Sequence, residues 1–340
     1  MTDATWSMPT GSPHAAILGL GIHRAKRVVP NAEIIDAIDS NDDWIQQRSG
    51  IKERRWVGPD ETLESMTLAA CQHALAASEI EPAQIDAVIL ATCTNTQQIT
   101  SLASRIAFLL GTQSPAAFDI SAACAGFSHA LSLASDMIRG GTARHVLVIG
   151  AERLSTLVSE TDRGTAFIFG DGAGAVVVGP SDVPGIGPVV WGSDGEQHSA
   201  IELSEDWVEA FARAAGPGAE HTLPHITMDG SAVFRWAAFE MAKVAQEALD
   251  RAGITAADLD LFVPHQANMR ITDAMARAMK LPDHVRVARD IAEQGNTSAA
   301  SIPLALGRMY ADGTAKSGDL ALLIAFGAGL TYAAQVVRVP

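Results

Sequence analysis

The sequence predicts an α/β fold made of two related halves. Apolar runs of strand length alternate with segments of helical periodicity along the whole chain. Several of these runs are continuous, which indicates strands that are covered on both faces. The order of the elements also repeats at long range, which favours an internal duplication. We expect strands at Ala15–Leu20, Ala87–Ala91, Val146–Ile149, Ala173–Val178, Leu261–Val263 and Leu320–Ala325.

The proposed duplication rests on matching segments in the same order. Ala74-Leu75 corresponds to Ala248-Leu249, and the run Val146–Ile149 corresponds to 321–324. We therefore divide the chain into residues 1–180 and 181–340. If a pseudo-twofold axis relates these halves, corresponding loops from each half converge at the centre of the molecule. Polar residues in those loops are then expected to share one site.

Composition limits the class of protein. With 340 residues, 48% of them hydrophobic and 19% charged, the chain can bury a large core. A net charge of -15 argues against a general nucleic-acid binder. The first ten residues lack a signal-peptide pattern, and no uninterrupted apolar stretch is long enough for a membrane span. Three scattered cysteines, without the spacing of a zinc site, suit a reducing cytoplasm.

Cys124 is the strongest candidate for a reactive side chain. It lies among small residues, between an apolar run and a helix-like stretch beginning near Ser128. At the start of a helix, unpaired N–H groups and the helix dipole favour a thiolate over a thiol. We therefore expect a nucleophile with a lowered pKa. The alternative for a cysteine taken alone is an inert, buried thiol.

His265 and Asn296 occupy comparable positions in the second half. His265 follows a strand-like run that stops at Pro264, and Asn296 lies in a stretch of glycine and small residues before a helix. Loops held by a rigid scaffold are where catalytic side chains usually lie. We expect Cys124 from one half to meet His265 and Asn296 from the other.

These motifs resemble those of a known family. Ser-Ala-Ala-Cys-Ala-Gly-Phe around Cys124, Val-Pro-His-Gln-Ala-Asn around His265 and Gly-Asn-Thr-Ser-Ala-Ala-Ser around Asn296 resemble the Cys-His-Asn triad of β-ketoacyl-acyl-carrier-protein synthase III, a family of the thiolase-like fold. Further motifs, Asp162-Arg163-Gly164-Thr165 and Phe326-Gly327-Ala328-Gly329 among them, extend the resemblance along nearly the whole chain. The actinobacterial branch is the most similar. The fold implied is a five-layered αβαβα core.

The resemblance implies a two-step reaction in a cytoplasmic homodimer that needs no cofactor and no metal. Cys124 attacks an acyl-coenzyme A and keeps the acyl group. Malonyl-acyl carrier protein then loses carbon dioxide, and the resulting carbanion attacks the acyl group, which initiates fatty-acid synthesis. His265 and Asn296 stabilise the enolate oxygen, and the backbone N–H groups of Cys124 and Ala328 hold the oxyanions of acyl transfer. Neither a membrane nor a nucleic acid is an expected partner.

The resemblance also assigns binding residues. Trp44, Arg48 and Arg163 correspond to the coenzyme A mouth, where an indole and a guanidinium hold the adenine. Trp44 could instead be a half-buried structural anchor. Three further positions correspond to the face where the acidic carrier protein docks, although Arg270 could equally be a solvated helix residue. These positions are Arg235, Arg270 and Arg277.

The resemblance assigns Ile99 and Phe169 to the acyl pocket, and the chain departs from the family pattern at two places. Around Ile99-Thr100 many relatives have an aromatic residue followed by proline, on a loop that caps the partner subunit's acyl tunnel. The smaller cap predicts room for a longer or branched primer. Ala328 stands where many relatives have glycine, so this position should not need a positive φ. The segment from Leu203 to Pro224 reads as an irregular insertion.

Other function classes fit less well. Gly19-Leu20-Gly21 lacks the third glycine of a dinucleotide fingerprint, because Arg24 stands there. No Gly-x-Ser-x-Gly elbow supports a serine hydrolase. A non-catalytic paralogue that binds a carrier protein would not need all three triad members. The main alternative lies within the same fold: a ketosynthase of a polyketide or quinolone pathway, or an acyltransferase acting on a sugar or alcohol.

Overall fold

The computed structural model describes residues 7–97, 99–215 and 222–340. Its strands are β1 (His14–Arg24), β2 (Arg27–Pro30), β3 (Glu53–Trp56), β4 (Ala87–Ala91), β5 (Ala116–Ile120), β6 (Val146–Arg153), β7 (Asp171–Ser181), β8 (Val190–Ser193), β9 (Ile201–Leu203), β10 (Ile226–Met228), β11 (Leu261–Pro264), β12 (Arg286–Val287), β13 (Leu320–Gly327) and β14 (Thr331–Arg338). Its helices are α1 (Asp42–Ser49), α2 (Leu63–Ser78), α3 (Leu102–Leu110), α4 (Gly126–Arg139), α5 (Trp207–Ala214), α6 (Gly230–Ala252), α7 (Met269–Ala278), α8 (Ile291–Gln294) and α9 (Ser301–Ala311). None of the helices in the described ranges is long and apolar enough to cross a membrane.

Two five-stranded sheets share one topology, which supports the duplication. The first has the order β1-β7-β6-β4-β5, and the second has the order β8-β14-β13-β11-β12. In both orders the first two pairs of neighbouring strands are antiparallel, and the last two pairs are parallel. Along the chain, the first sheet is complete when β7 ends at Ser181, and the second sheet begins with β8 at Val190.

The layers follow from where the apolar residues lie. Helices α4 and α9 pack between the two sheets, α2 and α3 cover the outer face of the first sheet, and α6 covers that of the second. All five residues of β4 are buried, and β7 and β13 are buried over most of their length. Continuous burial of this kind is expected for strands covered on both faces. The molecule is therefore a five-layered, thiolase-like αβαβα fold.

The predicted strands are all present, and most extend further than predicted. The prediction of an irregular insertion from Leu203 to Pro224 is wrong in part, because this segment contains α5. That helix begins with a capping box, in which the Asp206 side chain accepts from the Glu209 backbone and the Glu209 side chain accepts from the Asp206 backbone. Residues 216–221 of the predicted insertion lie outside the described residues.

Gly19 and Gly21 have a packing role within β1. A Cβ on Gly21 would lie 2.2 Å from the Ala74 backbone nitrogen, and one on Gly19 would lie 2.5 Å from the Ser78 backbone nitrogen. Both neighbours belong to α2, so the glycines allow this helix to approach the strand. They form part of a strand and not of a phosphate-binding turn, which agrees with rejecting the dinucleotide fingerprint.

Candidate active site

Cys124 lies between β5 and α4, as the sequence predicts. A single turn of 3-10 helix, Ala123–Ala125, separates the strand from the helix. Ala123 has a φ of 44°, an uncommon value for a residue with a side chain. On the other side Gly327 approaches closely, because a Cβ there would lie 2.7 Å from the Cys124 backbone nitrogen. Cys124 is thus held by the 3-10 turn and by the backbone of Gly327, which has no side chain in the way.

His265 directly follows β11 and is 2% exposed. Its Nδ1 lies 2.7 Å from the Ser301 hydroxyl oxygen, which also accepts a hydrogen bond from the Gln266 backbone N–H. The hydroxyl can donate to Nδ1 or accept from it, and we assign the tautomer in which it donates, which places the ring proton on Nε2. Burial lowers the pKa of His265 to about 3. The imidazole is therefore neutral at physiological pH, with Nε2 as a donor.

Asn296 is fixed by backbone contacts to the other half. Its N–H donates to Ile168 at 2.8 Å, and its carbonyl accepts from Gly170 at 2.9 Å. The side-chain oxygen accepts from the Ser298 backbone N–H at 2.8 Å. With its oxygen occupied in this way, the carboxamide has its NH₂ group left to donate to a substrate.

The resting state of Cys124 differs from the sequence-based expectation of a lowered pKa. Burial raises the pKa of the Cys124 thiol to about 12; the Glu152 carboxylate adds to this rise, and the Ser298 hydroxyl opposes it. Desolvation disfavours a charged sulfur, which is the opposite of the effect expected at the start of a helix. The prediction of a resting thiolate is therefore wrong, and the thiol must lose its proton during attack on the substrate.

The three triad residues line one cavity of about 510 Å³. At its inner end lie Cys124, His265 and Asn296, all of which the sequence analysis placed together. The Phe326 ring contacts the His265 imidazole edge-on, with the ring centres 5.5 Å apart. The outer part of the cavity is lined by five residues predicted to contact coenzyme A or the carrier protein: Trp44, Arg48, Arg163, Arg235 and Arg270.

Two of these arginines lie over the indole of Trp44. The guanidinium carbon of Arg163 is 4.9 Å from the ring centre, and that of Arg48 is 5.4 Å from it. Both are exposed, whereas Trp44 is partly buried and contacts Phe167 edge-on. Trp44 is thus a partly buried anchor whose indole contacts two cations, and its expected role in holding the adenine of coenzyme A stays a prediction. Arg270 lies over the Phe234 ring in the same way, at 5.1 Å.

A second cavity, of about 440 Å³, lies on the other side of Cys124. The two cavities share Cys124, Phe169 and Ile201. Ala328 lines the second cavity, and it is absent from the positive-φ residues of the described chain, as predicted. The walls are mainly apolar and include the following residues from several elements: Leu154, Leu157, Leu203, Trp207 and Ile226.

Two predicted positions do not join these cavities. Arg277 is exposed near the end of α7, beyond the residues that line the mouth. Ile99 is fully exposed and lines neither cavity of its own chain. Its expected place over a partner subunit's acyl tunnel stays a prediction. Among the described residues there is no group of three or more His, Cys, Asp or Glu side chains suited to hold a metal ion.

Sequence reasoning missed three buried residues around the triad. Ser301 contacts His265, Ser298 orients Asn296, and Glu152 lies close enough to influence the Cys124 thiol. Ser298 and Ser301 stand in the same small-residue string as Asn296, which was the available signal. Glu152 had none, because a single acid at the end of a strand is usually exposed.

Comparisons with known proteins agree with the geometry. Residues 118–195 match the family model of 3-oxoacyl-[acyl-carrier-protein] synthase III, and residues 249–339 match the model of its C-terminal part. The chain is 56% identical to the β-ketoacyl-[acyl-carrier-protein] synthase III of Streptomyces glaucescens, over 97% of this chain and 98% of the relative. It is 51% identical to the mycobacterial β-ketoacyl-[acyl-carrier-protein] synthase III of Mycobacterium marinum, over 97% of each chain.

A solved structure gives the same result for the fold. The crystal structure of the priming β-ketosynthase from the R1128 polyketide biosynthetic pathway superposes with a TM-score of 0.94 and 45% sequence identity, covering 99% of each chain. Identity of this level along almost the full length establishes common ancestry as well as a common fold. The chain therefore belongs to the β-ketoacyl-[acyl-carrier-protein] synthase III family, and its similarity is to the actinobacterial members.

Proposed function

We propose that this chain is a β-ketoacyl-acyl-carrier-protein synthase III, which joins an acyl group from acyl-coenzyme A to a malonyl unit on acyl carrier protein. The observation that carries the proposal is the position of Cys124 between two cavities. One is lined towards the surface by exposed arginines, and the other is lined mainly by apolar side chains. This arrangement suits a thioester whose polar carrier stays in the mouth while its acyl chain enters the apolar cavity.

In the first step the Cys124 sulfur attacks the thioester carbonyl. The bond from carbon to the coenzyme A sulfur breaks, and the thiol proton of Cys124 ends on the departing coenzyme A thiol. The sulfur lies in the turn that leads into α4, where the start of the helix favours negative charge, and this turn contains the backbone N–H of Cys124. With the N–H of Ala328, that group would hold the tetrahedral oxyanion, each donor lowering the barrier by roughly 3–4 kcal/mol.

In the second step the malonyl group loses carbon dioxide, and the electron pair of the broken bond moves into an enolate. Nε2–H of His265 and the NH₂ group of Asn296 are free to donate to the enolate oxygen. The carbanion then attacks the acyl carbonyl, the bond from carbon to the Cys124 sulfur breaks, and the departing thiolate takes a proton from water to restore the thiol. No cofactor is needed in this proposal, because the malonyl carboxylate supplies the electron pair.

The arginines at the mouth fit the two anionic substrates. Arg48, Arg163, Arg235 and Arg270 line it in a protein whose net charge is -15. A local group of cations on an acidic protein attracts the phosphates of coenzyme A and an acidic carrier protein. Arg277 extends this surface along α7 and stays part of the proposed docking face.

We propose that the active protein is a homodimer in a reducing, cytoplasmic setting. Strand β5 lies at the edge of the first sheet, and Phe118 on it is 36% exposed. An exposed apolar edge strand invites pairing with a second copy. Ile99 and Phe108, in the neighbouring loop and helix, are also exposed. Cys71, Cys93 and Cys124 are all free thiols, which suits a reducing compartment.

The test is a condensation assay with acetyl-, isobutyryl- and decanoyl-coenzyme A and malonyl-acyl carrier protein. We expect β-ketoacyl-carrier product from the intact protein, with turnover of the longer or branched primers at least equal to that of acetyl. In Asn296→Asp, which lacks the amide donor, we expect acylated Cys124 to form while product formation falls about 100-fold or more.

Failure of the intact protein to form any β-ketoacyl product from these primers would contradict the proposal. A hydroxyl-containing acceptor that takes the acyl group without loss of carbon dioxide would instead identify an alcohol acyltransferase. The product from a starter specific to a polyketide pathway would separate a specialised ketosynthase, such as the R1128 priming enzyme, from one of general fatty-acid synthesis.

A further inference from the structure

Glu152 is a fully buried acid that neither reaction step uses. It lies near the end of β6 and is 0% exposed. In the described part of the chain no arginine, lysine or histidine forms an ion pair with it. A buried carboxyl group without a cation must be stabilised by hydrogen-bond donors or it would destabilise the fold.

Three consecutive residues supply those donors. The Thr94 hydroxyl donates to a carboxylate oxygen at 2.7 Å, and the Cys93 backbone N–H lies 3.2 Å from both oxygens. The Cys93 thiol and the Thr92 hydroxyl each donate at 3.3 Å. Thr94 is itself fixed, since its hydroxyl oxygen accepts from the Arg153 backbone N–H at 2.9 Å. The carboxyl group therefore binds this short segment at several points, and the Ser298 hydroxyl is a further neighbour that lowers its pKa.

That segment, residues 92–96, forms part of the wall of the apolar cavity beside Cys124. Cys93, Thr94, Asn95 and Thr96 all line this cavity. The segment has no regular secondary structure, and its backbone is tied to the sheet at its first residue, where the Thr92 N–H donates to the Ile120 carbonyl of β5 at 3.4 Å. Its other end is held by Asp119, which accepts from the Asn95 side chain at 3.1 Å and also caps the start of α3.

We propose that Glu152 is a positioning residue that holds segment 92–96 as the rim of the acyl cavity and so limits the primers that Cys124 accepts. The inference rests on the proposed function, since it assigns the second cavity to the acyl group. Glu152 acts through the segment and does not touch the primer. Burial raises the pKa of Glu152, and the donors from Thr94 and Cys93 oppose that rise, so the same contacts also keep the carboxyl group able to accept.

The test replaces the acceptor without changing its size. In Glu152→Gln one oxygen becomes an NH₂ group, which faces donors from Thr94 or Cys93 and cannot accept from them. Thr94→Val removes the hydroxyl that makes the shortest hydrogen bond to Glu152 and keeps the shape of the side chain. Thr94→Ser is the matched control, because it keeps the hydroxyl. Each variant is incubated with equal concentrations of acetyl- and decanoyl-coenzyme A, and the acylated protein is quantified by intact mass spectrometry.

We expect the decanoyl-to-acetyl ratio to rise about fivefold in Glu152→Gln and Thr94→Val, the factor that corresponds to one lost hydrogen bond. Acylation by acetyl is the internal reference, because a change in the reactivity of Cys124 caused by Glu152→Gln affects both primers alike, and Thr94→Ser should keep the parent ratio. Hydrogen exchange of the amides in segment 92–96 should become faster in the two disruptive variants only.

An unchanged ratio in both disruptive variants would overturn the inference, as would an equal fall for both primers, which indicates a general structural role. Thr94→Val keeps the inference falsifiable if Glu152→Gln does not fold. A parent protein that accepts neither primer would contradict the proposed function, and an accepting parent with an unchanged ratio in the variants would contradict only the role of Glu152.

Discussion

Side chains around the triad set its chemistry through single hydrogen bonds. Ser301 directs a proton towards Nδ1 of His265, and the Ser298 N–H holds the carboxamide oxygen of Asn296. In this way both triad partners present donors to the substrate. Cys124 is in the opposite situation, because its buried environment keeps the proton on the sulfur. The two partners present their donors in the resting protein, whereas the sulfur must lose its proton during the attack.

The pH dependence of Cys124 alkylation tests this protonated resting state. Because burial raises the pKa of Cys124 to about 12, the thiolate fraction at pH 7 to 9 is small and grows about tenfold for each pH unit. We expect the rate of iodoacetamide labelling at Cys124, followed by peptide mass spectrometry, to rise over this whole range. A plateau below pH 8 would show that the start of α4 outweighs burial, and would restore the lowered pKa expected from the sequence.

The sequence identified the triad residues but not their protonation. A residue that follows a strand and precedes a helix can be recognised from the pattern of apolar and small residues around it. This pattern correctly predicted that Cys124, His265 and Asn296 lie together. The desolvation of a side chain depends on atoms from both halves, so the direction of the Cys124 pKa shift could not be predicted. The contact between His265 and Ser301 depends in the same way on tertiary packing.

Strands and helices are explained mostly by local sequence. The continuous apolar runs predicted the buried strands, and these became β1, β4, β6, β7, β11 and β13. α5 was missed because its apolar residues are largely exposed: Val208 is 77% and Phe211 is 73% exposed. Such a helix depends on its Asp206 cap and on the ion pair between Arg213 and Glu205, which a pattern of hydrophobicity does not detect.

Gly21 provides a test of the packing between β1 and α2. A methyl group in Gly21→Ala would lie 2.2 Å from a backbone atom of α2, so the strand or the helix must shift. We expect a loss of roughly 1–3 kcal/mol or more in the free energy of unfolding, measured by urea denaturation. Gly195→Ala is the control, since no atom lies within 4 Å of the added methyl group. Equal stabilities of the two variants would contradict this explanation of the glycine.

The whole molecule places one reaction centre where its two halves meet. Cys124 comes from the half with the first sheet, and His265 and Asn296 come from the half with the second. The helices α4 and α9 that follow the catalytic loops both lie between the sheets, and one hydrophobic core includes residues of both. The duplication seen in the sequence therefore predicted the meeting of the loops. It could not predict the second cavity, whose walls come from several separate segments.

The proposed dimer is tested at the edge of the first sheet. Phe118→Lys would put charges opposite each other if two copies of β5 pair, so we expect the dimer to dissociate at least tenfold more readily in sedimentation experiments. Val183→Lys is the control, because Val183 is also exposed but lies beyond β7. A parent protein that sediments as a monomer, or a Phe118→Lys variant as dimeric as the control, would exclude this interface.

The most direct test of the account is to locate the acyl group after incubation with an acyl-coenzyme A in the absence of malonyl-acyl carrier protein. Peptide mass spectrometry should find one acyl group on Cys124 and none on Cys71 or Cys93, and Cys124→Ala should remain unmodified. An acyl group on another residue, or Cys124→Ala acylated to the same extent as the parent, would contradict the assignment of Cys124 as the nucleophile between the two cavities.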